Sequence, residues 1–374
     1  MFEKCFKVIK GRHEYAREWK ARTGRRVFGY MCTYLPEEIL YAADILPVRI
    51  LGSHEPQDVV EPHIHSMFCS FCRDVLGQGL TGRYEYLDGI TMGHTCLHIQ
   101  QAFSSWEMHA PVPYSYYMWV PAGTQKPQAK DCLLAELQGF RGSLEGWLGR
   151  AIPDEALDNA IEVYNTNRRL LRQVYELRKG DPPAASGPEA MAASLASMLM
   201  DKEECNRLLE AELKSLSDGR NGGSTGVRLM LVGGQNDDIE FVRLVEELGG
   251  SVVIDDHCTG SRYFWQEVLP QKDRLMALAH RYLDGPPCPT KDLEGEHLRL
   301  GHILGLARDY NVQGAILIQQ KFCDPHEIDS PAINRVLKDE GIPTLFLEFD
   351  ITIPSGQFRT RVEAFLEMIQ MGIE

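Results

Sequence analysis

Short apolar runs alternate with helical patterns over the first third of the chain. Apolar positions recur at helical spacing over 12–23, whereas the run 26–31 is typical of a buried strand. Pro36 followed by Glu37 and Glu38 predicts a helix start, because proline suits the first turn and acids suit the positive end of the helix dipole. Further strands are predicted at 47–51, 89–92 and 114–120. This alternation indicates a Rossmann-like unit.

The middle of the chain has the pattern of helices alone. Apolar positions recur at helical spacing over 156–177 and over 191–216, and the proline- and glycine-rich stretch 180–188 breaks any helix between them. The glycine-rich stretch 219–226 is typical of a linker. We therefore predict a helical segment over 131–218 that ends in a linker.

A second alternating unit follows the linker. Its predicted strands are 227–232, 251–254, 314–318 and 344–347, and its predicted helices are 238–248, 261–283, 293–310, 331–340 and 357–371. Strands that alternate with helices in this order pair in parallel, with short crossovers. The predicted fold is α/β, with two Rossmann-like parallel-sheet domains, 1–130 and 227–374, and the helical segment between them.

The charge balance narrows the kinds of partner. Lysine and arginine total 39 against 53 aspartate and glutamate, which gives a net charge of −14. A surface of that sign repels phosphate backbones, so we expect no nucleic-acid partner. No apolar run approaches the roughly 18 residues of a membrane span, and no secretory signal precedes residue 20. We expect a cytoplasmic protein whose thiols are reduced and which has no membrane partner.

Nucleotide binding by this chain itself is not expected. Gly233 and Gly234 follow a predicted strand, but they do not form the G-x-G-x-x-G fingerprint, and no Walker A sequence is present. The two glycines are explained by a turn into the next helix, which glycine adopts easily. We expect any ATP to be bound by a partner subunit.

Three of the ten cysteines stand where ligands are usually placed. Cys96 and Cys323 directly follow strand-like runs, and Cys69 lies in the motif MFCSFC at 67–72. Open α/β folds bind ligands at the carboxyl ends of strands, and an iron–sulfur cluster needs thiolates from separated points of a sequence. Three thiolates would leave one iron open. Taken singly, each cysteine could instead be a core residue.

Other cysteines allow several interpretations. Cys69 and Cys72 form a C-x-x-C, which could be a redox pair, half of a zinc site, or one ligand with a bystander. Cys32 ends a predicted strand and either lines the active crevice or packs in the core. The remaining thiols are expected to pack as small apolar side chains in helical or proline-rich settings: Cys5, Cys132, Cys205 and Cys288.

Several motifs together resemble one family. The stretch GYMCTYLPEEILYAA at 29–43, continued by LPVR at 46–49, resembles the benzoyl-coenzyme A reductases and 2-hydroxyacyl-coenzyme A dehydratases. The same resemblance extends over further landmarks up to residue 367: HTC at 94–96, DDHCTGSRY at 255–263, KFCDP at 321–325 and GIPTLFLE at 341–348. It therefore covers nearly the whole chain.

The resemblance implies an iron–sulfur cluster on three cysteines. The family's ligand motifs match Cys69, Cys96 and Cys323, which predicts a [4Fe-4S] cluster with three cysteine ligands. Cys72 is then a helix-face thiol that packs near the cluster; the alternatives are that it is itself a ligand, or that the cluster is expanded, as in the double-cubane relatives. The dehydratases commonly have aspartate and glycine after the second cysteine, where this chain has Leu97 and His98. That departure weakens the interpretation as a dehydratase.

The resemblance also implies an activity. The chain is expected to be the iron–sulfur subunit of an ATP-dependent benzoyl-coenzyme A reductase of anaerobic aromatic degradation, which dearomatises an aromatic acyl-coenzyme A with low-potential ferredoxin electrons. Its expected partners are a homologous iron–sulfur sister subunit, ATPase activator subunits, ferredoxin and the acyl-coenzyme A. Alternatives are a component of a 2-hydroxyacyl-coenzyme A dehydratase, or a non-catalytic, double-cubane electron-storage protein.

Two further side chains are candidates for the chemistry. His94 lies two residues before Cys96 and is a candidate proton donor, although a histidine in a loop needs no catalytic role. Glu38 is a candidate substrate contact; the alternative is a surface acid that complements the helix dipole.

Overall fold

Two parallel β-sheets of four strands each organise the chain. The computed structural model describes residues 2–56, 58–217, 225–292 and 298–372. The strands of the first sheet are β1 (Arg26–Tyr30), β2 (Ile45–Arg49), β3 (Gly89–Gly93) and β4 (Ser115–Met118), in the order β2-β1-β3-β4. Those of the second are β5 (Val227–Gly233), β6 (Gly250–Asp256), β7 (Gly314–Gln320) and β8 (Thr344–Phe349), in the order β6-β5-β7-β8. The predicted α/β class with two Rossmann-like units is confirmed.

Both sheets have the same topology, and this places a crevice in each. The strand order reverses between β1 and β3 in the first sheet and between β5 and β7 in the second. Such a switch point opens a crevice at the carboxyl ends of the two strands, where α/β proteins bind their ligands. The loops that follow these strands carry Cys32, Cys96 and Cys323.

Helices accompany the strands of the first sheet. The sequence analysis predicts neither the helix at 3–10 nor the helix that follows Cys96. The helices of this part are α1 (Glu3–Lys10), α2 (Arg12–Thr23), α3 (Glu37–Ala42), α4 (Ser70–Leu80) and α5 (Leu97–His109). The predicted helix 12–23 and the helix start at Pro36 are confirmed.

The middle of the chain is helical, as predicted, but 191–216 is not one helix. The helices here are α6 (Ala129–Leu148), α7 (Asp154–Glu176), α8 (Gly187–Ser197) and α9 (Lys202–Ser217). The chain turns after Met198, whose carbonyl accepts the backbone N–H of Arg49 at 2.9 Å. Asp201 then accepts the N–H of Glu204 at 3.2 Å and so caps the next helix. Most of the predicted linker 219–226, namely residues 219–224, lies outside the described residues.

The second sheet carries the remaining helices. They are α10 (Ile239–Glu247), α11 (Ser261–Phe264), α12 (Arg274–Asp284), α13 (Leu298–Asp309), α14 (Asp324–Asp339) and α15 (Ser355–Gln370). The predicted helix 261–283 is two helices, because Asp273 caps a new start by accepting the N–H of Met276. The predicted start at Pro331 is wrong: α14 begins after Cys323, and Pro331 lies inside it. Residues 293–297 of another predicted helix lie outside the described residues.

None of the helices in the described part of the chain combines the length and the apolar character that a membrane crossing requires.

A buried carboxylate ties the two sheet units together. Asp237, which follows β5, accepts the backbone N–H of Gly52 at 2.5 Å and lies 3.0 Å from Nε2 of His54. Burial alone would lower the pKa of His54, but the Asp237 and Asp238 carboxylates raise it to about 9. Burial alone would raise the pKa of Asp237. The His54 cation acts in the opposite direction, and the pKa of Asp237 is lowered to about 2.

This contact predicts a pH dependence of stability. The His54 pKa is raised on folding from its unfolded value of about 6.5, so its contribution is fully present below pH of about 6.5 and is lost as the pH rises through about 9. The Asp237 contribution is lost only as the pH falls towards about 2. Urea unfolding at pH 6 and pH 10 measures the difference. His54→Gln is expected to lose less stability over this range than the wild type, and an equal loss would contradict the assignment.

Candidate functional site

Seven of the ten cysteines line one cavity between the two sheet units. The cavity has a volume of about 130 Å³. Its walls come from the loops after β1, β3, β5, β6 and β7, and therefore from both switch points. The thiols that line it are those of Cys32, Cys69, Cys72, Cys96, Cys258, Cys288 and Cys323. They divide into two sets of three, with Cys72 beside the first.

The first thiol group consists of Cys69, Cys96 and Cys323. Each of these residues is the N-cap of a helix: Cys69 of α4, Cys96 of α5 and Cys323 of α14. Helix N-termini present unpaired N–H groups and a partial positive charge of about half an elementary charge. Three such termini meet at these thiols. The local fold therefore favours negative charge at this group.

The thiols of this group interact with one another directly. Hydrogen bonds from the thiols of Cys323 and Cys72 lower the pKa of Cys69 well below its usual range. Donation of that hydrogen bond stabilises the protonated thiol of Cys323, so the pKa of Cys323 is raised. Burial raises the pKa of Cys96 to about 12. The free thiols thus hold one negative charge readily, and further thiolates need a positively charged ligand among them.

His98 holds the helix starts of the first thiol group together. Its Nδ1 accepts the backbone N–H of Cys69 at 3.0 Å, and its Nε2 lies 3.4 Å from the carboxylate of Asp324. One histidine on α5 therefore bridges the starts of α4 and α14. In the sequence, His98 stands out only as a departure from the dehydratases. Its bridging position depends on long-range contacts, which no local pattern encodes.

The second thiol group consists of Cys32, Cys258 and Cys288. Thr33 donates its hydroxyl to the carbonyl of Cys258 at 2.8 Å, and the backbone N–H of Cys288 donates to the Tyr34 hydroxyl at 3.2 Å. The loop after β1 therefore gathers all three residues. Cys32 Sγ lies 3.4 Å from the hydroxyl of Thr95, the neighbour of Cys96, so the two thiol groups adjoin.

Buried cations surround the second thiol group. Arg49 lines the cavity, with Nη2 4.0 Å from the Cys258 thiol, and Arg262 lines it beside Cys288. Burial lowers the pKa of Lys291 to about 8, even though Cys32 and Cys288 raise it. Its ammonium donates to two backbone carbonyls. We call Arg49 and Arg262, which line the cavity, and Lys291, which lies behind its wall next to Cys288, the cavity cations.

Some donors of these cations are buried without a partner. Within the described ranges, Arg49 Nε and Arg262 Nη1 have no hydrogen-bond partner. Nε of Arg262 instead faces the carboxylate of Asp256 at 3.7 Å, and Asp256 also pairs with Arg299. Buried donors are almost always satisfied, so these atoms indicate an anionic occupant of the cavity.

The donor set fits an iron–sulfur cluster better than a single metal ion. Across residues 2–56, 58–217, 225–292 and 298–372, no three histidine, cysteine or acidic side chains converge closely enough to hold one ion. The thiols instead surround a cavity, and thiolates are the usual ligands of iron–sulfur clusters. An anionic cluster would also meet the unpaired arginine donors and the three helix N-termini.

The candidate proton donor His94 and the candidate substrate contact Glu38 are not among the residues that line the cavity. Nδ1 of His94 pairs with the hydroxyl of Tyr117, and the centroid of its ring lies 4.8 Å from that of the tilted Trp119 ring. Glu38 is buried and forms an ion pair with Arg168, and Tyr282 donates to it at 3.1 Å. The interpretation of Glu38 as a surface acid is wrong, because the helical segment covers it.

The interpretation of several other cysteines is also corrected. The sequence predicts that Cys288 packs in the core. It instead lines the cavity together with Cys32 and Cys258. Cys132 is exposed, whereas Cys5 and Cys205 are buried, as predicted. The prolines on both sides of Cys288, at 286, 287 and 289, are the local signal of a fixed loop around a functional thiol.

Known proteins match this chain over almost its whole length. The family described as "2-hydroxyglutaryl-CoA dehydratase, D-component" matches residues 32–369. One subunit of the benzoyl-CoA reductase of Thauera aromatica is 27% identical, over 95% of this chain and 94% of its own. The (R)-phenyllactyl-CoA dehydratase beta subunit of Clostridium sporogenes is 24% identical (97% and 96% covered). The (R)-2-hydroxyglutaryl-CoA dehydratase beta subunit of Acidaminococcus fermentans is 25% identical (99% of both). The chain belongs to the 2-hydroxyglutaryl-CoA dehydratase D-component family, whose members are subunits of reductase and dehydratase complexes.

Proposed function

We propose that this chain is the iron–sulfur subunit of a low-potential, ATP-dependent redox complex, and that one cluster of the double-cubane type uses both thiol groups. The observation that carries the proposal is the convergence of six cysteines, three from each group, on one cavity with buried cations. When bound, such a cluster stores and transfers electrons, at potentials that reach about −700 mV.

The chain's own residues serve this cluster in three ways. The first thiol group holds one part of it at three helix N-termini, and the second thiol group holds the other part beside the cavity cations. Apolar side chains of the lining, among them Met31 and Ile99, limit the access of water. Exclusion of water favours a low reduction potential, because solvent exposure stabilises the more negative, reduced form.

The proposed complex follows the relatives. Their names describe subunits, so we propose a homologous iron–sulfur sister subunit beside this chain. An ATPase activator that binds the ATP would drive electrons from ferredoxin to the cluster, in the cytoplasm. ATP hydrolysis is needed in this proposal because ordinary ferredoxin electrons, near −400 mV, are not negative enough for the hardest acyl-CoA reductions.

Removal of one thiol from the second group tests the proposal. Cys258→Ala and Cys288→Ala are expected to retain about half of the wild-type iron after anaerobic purification, because the first thiol group is intact. Cys132→Ala, on the exposed surface, is the matched control and should keep all of its iron. Iron and acid-labile sulfide per chain are the measurement. Full iron in both second-group variants would overturn the double-cubane proposal.

Benzoyl-CoA reduction is the second candidate. It is favoured by the similarity to the Thauera aromatica benzoyl-CoA reductase and by Leu97 and His98 in place of the aspartate and glycine common in dehydratases. The purified complex, with its activator, ATP and a reductant, is assayed with benzoyl-CoA and with a 2-hydroxyacyl-CoA. Benzoyl-CoA consumed with stoichiometric ATP supports this candidate. Turnover of the 2-hydroxyacyl-CoA with only catalytic ATP, or of neither substrate, excludes it.

A further inference from the structure

We propose that the cavity cations give the cluster half on the second thiol group a higher reduction potential than the half on the first, so that the second half is reduced first. This inference rests on the proposed double-cubane site. It assigns to Arg49, Arg262 and Lys291 a function as positioning residues that set a potential, rather than as ligands.

Formal positive charge is concentrated at the second thiol group. Arg49 lies 4.0 Å from the Cys258 thiol, and both Arg49 and Arg262 act on that thiol electrostatically. Lys291 is held next to Cys288, whose carbonyl accepts the backbone N–H of Lys291 at 2.8 Å, and the charges of Cys32 and Cys288 raise the pKa of its ammonium against the effect of burial. Among the described residues, Arg49 has no carboxylate as a hydrogen-bond partner, since its Nη atoms donate to Thr33 and Gln235. Its charge is therefore available to the cluster.

The cations beside the first thiol group are partly offset and partly exposed to water. Arg73 and Lys321 share the carboxylate of Asp350, at 3.0 and 3.4 Å, and their side chains are 16% and 40% exposed. Asp350 offsets one of the two charges, and solvent screens the charge that remains. Arg281 also lines the cavity, where its guanidinium donates to the backbone carbonyls of Gln266 and Tyr263. The first thiol group therefore receives mainly the partial charges of its three helix N-termini.

The two environments differ in the size of their positive charge. Each helix N-terminus is equivalent to about half an elementary charge, whereas each cavity cation has a full one. Asp256 offsets part of the charge of Arg262, but Asp256 is itself paired with Arg299. Reduction adds negative charge to a cluster, and nearby positive charge stabilises the reduced form and raises the potential. The second half should accordingly accept the first electron.

A redox titration of single variants tests the inference. The anaerobic holoprotein is titrated with europium(II) chelates of graded potential, and the reduced cluster is followed by electron paramagnetic resonance. In Arg49→Gln, the equilibrium constant of the first reduction step is expected to fall about tenfold, which corresponds to 59 mV for one electron. Arg49→Lys, which keeps the charge, should restore most of the shift. Lys291→Gln should shift the same step in the same direction.

Arg73→Gln is the matched control, because Arg73 lies beside the first thiol group, whose half of the cluster is reduced second in this proposal. It should leave the first step unchanged. Unshifted first steps in Arg49→Gln and Lys291→Gln, with wild-type iron in both, would overturn the inference and leave the proposed function intact. About four iron atoms per wild-type chain, as for a single cluster on the first thiol group, would instead overturn the proposed function. If Arg49→Gln fails to retain iron, Lys291→Gln decides the question.

Discussion

Replacement of Cys69, Cys96 or Cys323 by alanine, one at a time, is expected to remove most of the iron from the anaerobically purified protein. Each residue begins a helix, so its thiolate has a fixed position that a neighbouring side chain cannot take over. The effect should exceed that of second-group variants, because the three helix N-termini that offset the charge of the cluster lie here. Iron and sulfide per chain are measured, with circular dichroism as the check of folding.

Cys72→Ala is the matched control for these variants. Cys72 lies in the first turn of α4 and donates a hydrogen bond to Cys69, which is the expected behaviour of a bystander thiol. It should keep its iron. Loss of iron from Cys72→Ala, together with full iron in Cys69→Ala, would mean that Cys72 is the ligand and Cys69 is not.

Glu38→Gln is expected to destabilise the protein by about 3–5 kcal/mol, because it leaves the buried guanidinium of Arg168 without its charge partner. Burial alone would raise the pKa of Glu38, but Arg168 and Arg281 lower it, so the carboxylate is charged at neutral pH. The free energy of unfolding in urea is the measurement.

The neighbouring ion pair of Arg169 is the control for Glu38→Gln. Arg169 pairs with Glu162 on the exposed side of α7, and such exposed pairs contribute roughly 0–1 kcal/mol. Arg169→Gln should therefore change the stability little. A Glu38→Gln protein that is as stable as the wild type, but binds acyl-CoA more weakly, would favour the role as a substrate contact.

Local sequence signals account for the elements that are predicted well. Pro36 with two following acids defines the start of α3, and the apolar run of β5 defines a buried strand. Signals of the same kind fail where a distant contact decides. The turn after Met198 depends on a hydrogen bond from Arg49, and Pro331 lies within α14 because that helix already begins at Cys323.

The first thiol group can be named from the sequence because its three motifs resemble those of a known family. The second thiol group cannot, since Cys288 reaches the cavity through a hydrogen bond to Tyr34, 254 residues away. The prolines around Cys288 indicate a fixed loop, but they do not tell whether its thiol lines a cavity or packs in the core. The surface interpretation of Glu38 fails for a related reason: only the tertiary fold brings Arg168 and Tyr282 against it.

The number of iron atoms per chain tests the central claim most directly. The anaerobically purified wild-type protein is weighed by native mass spectrometry, with iron and sulfide determined on the same sample. A cluster that uses both thiol groups predicts about eight iron atoms per chain. About four iron atoms, with Cys32, Cys258 and Cys288 all dispensable for iron retention, would contradict it.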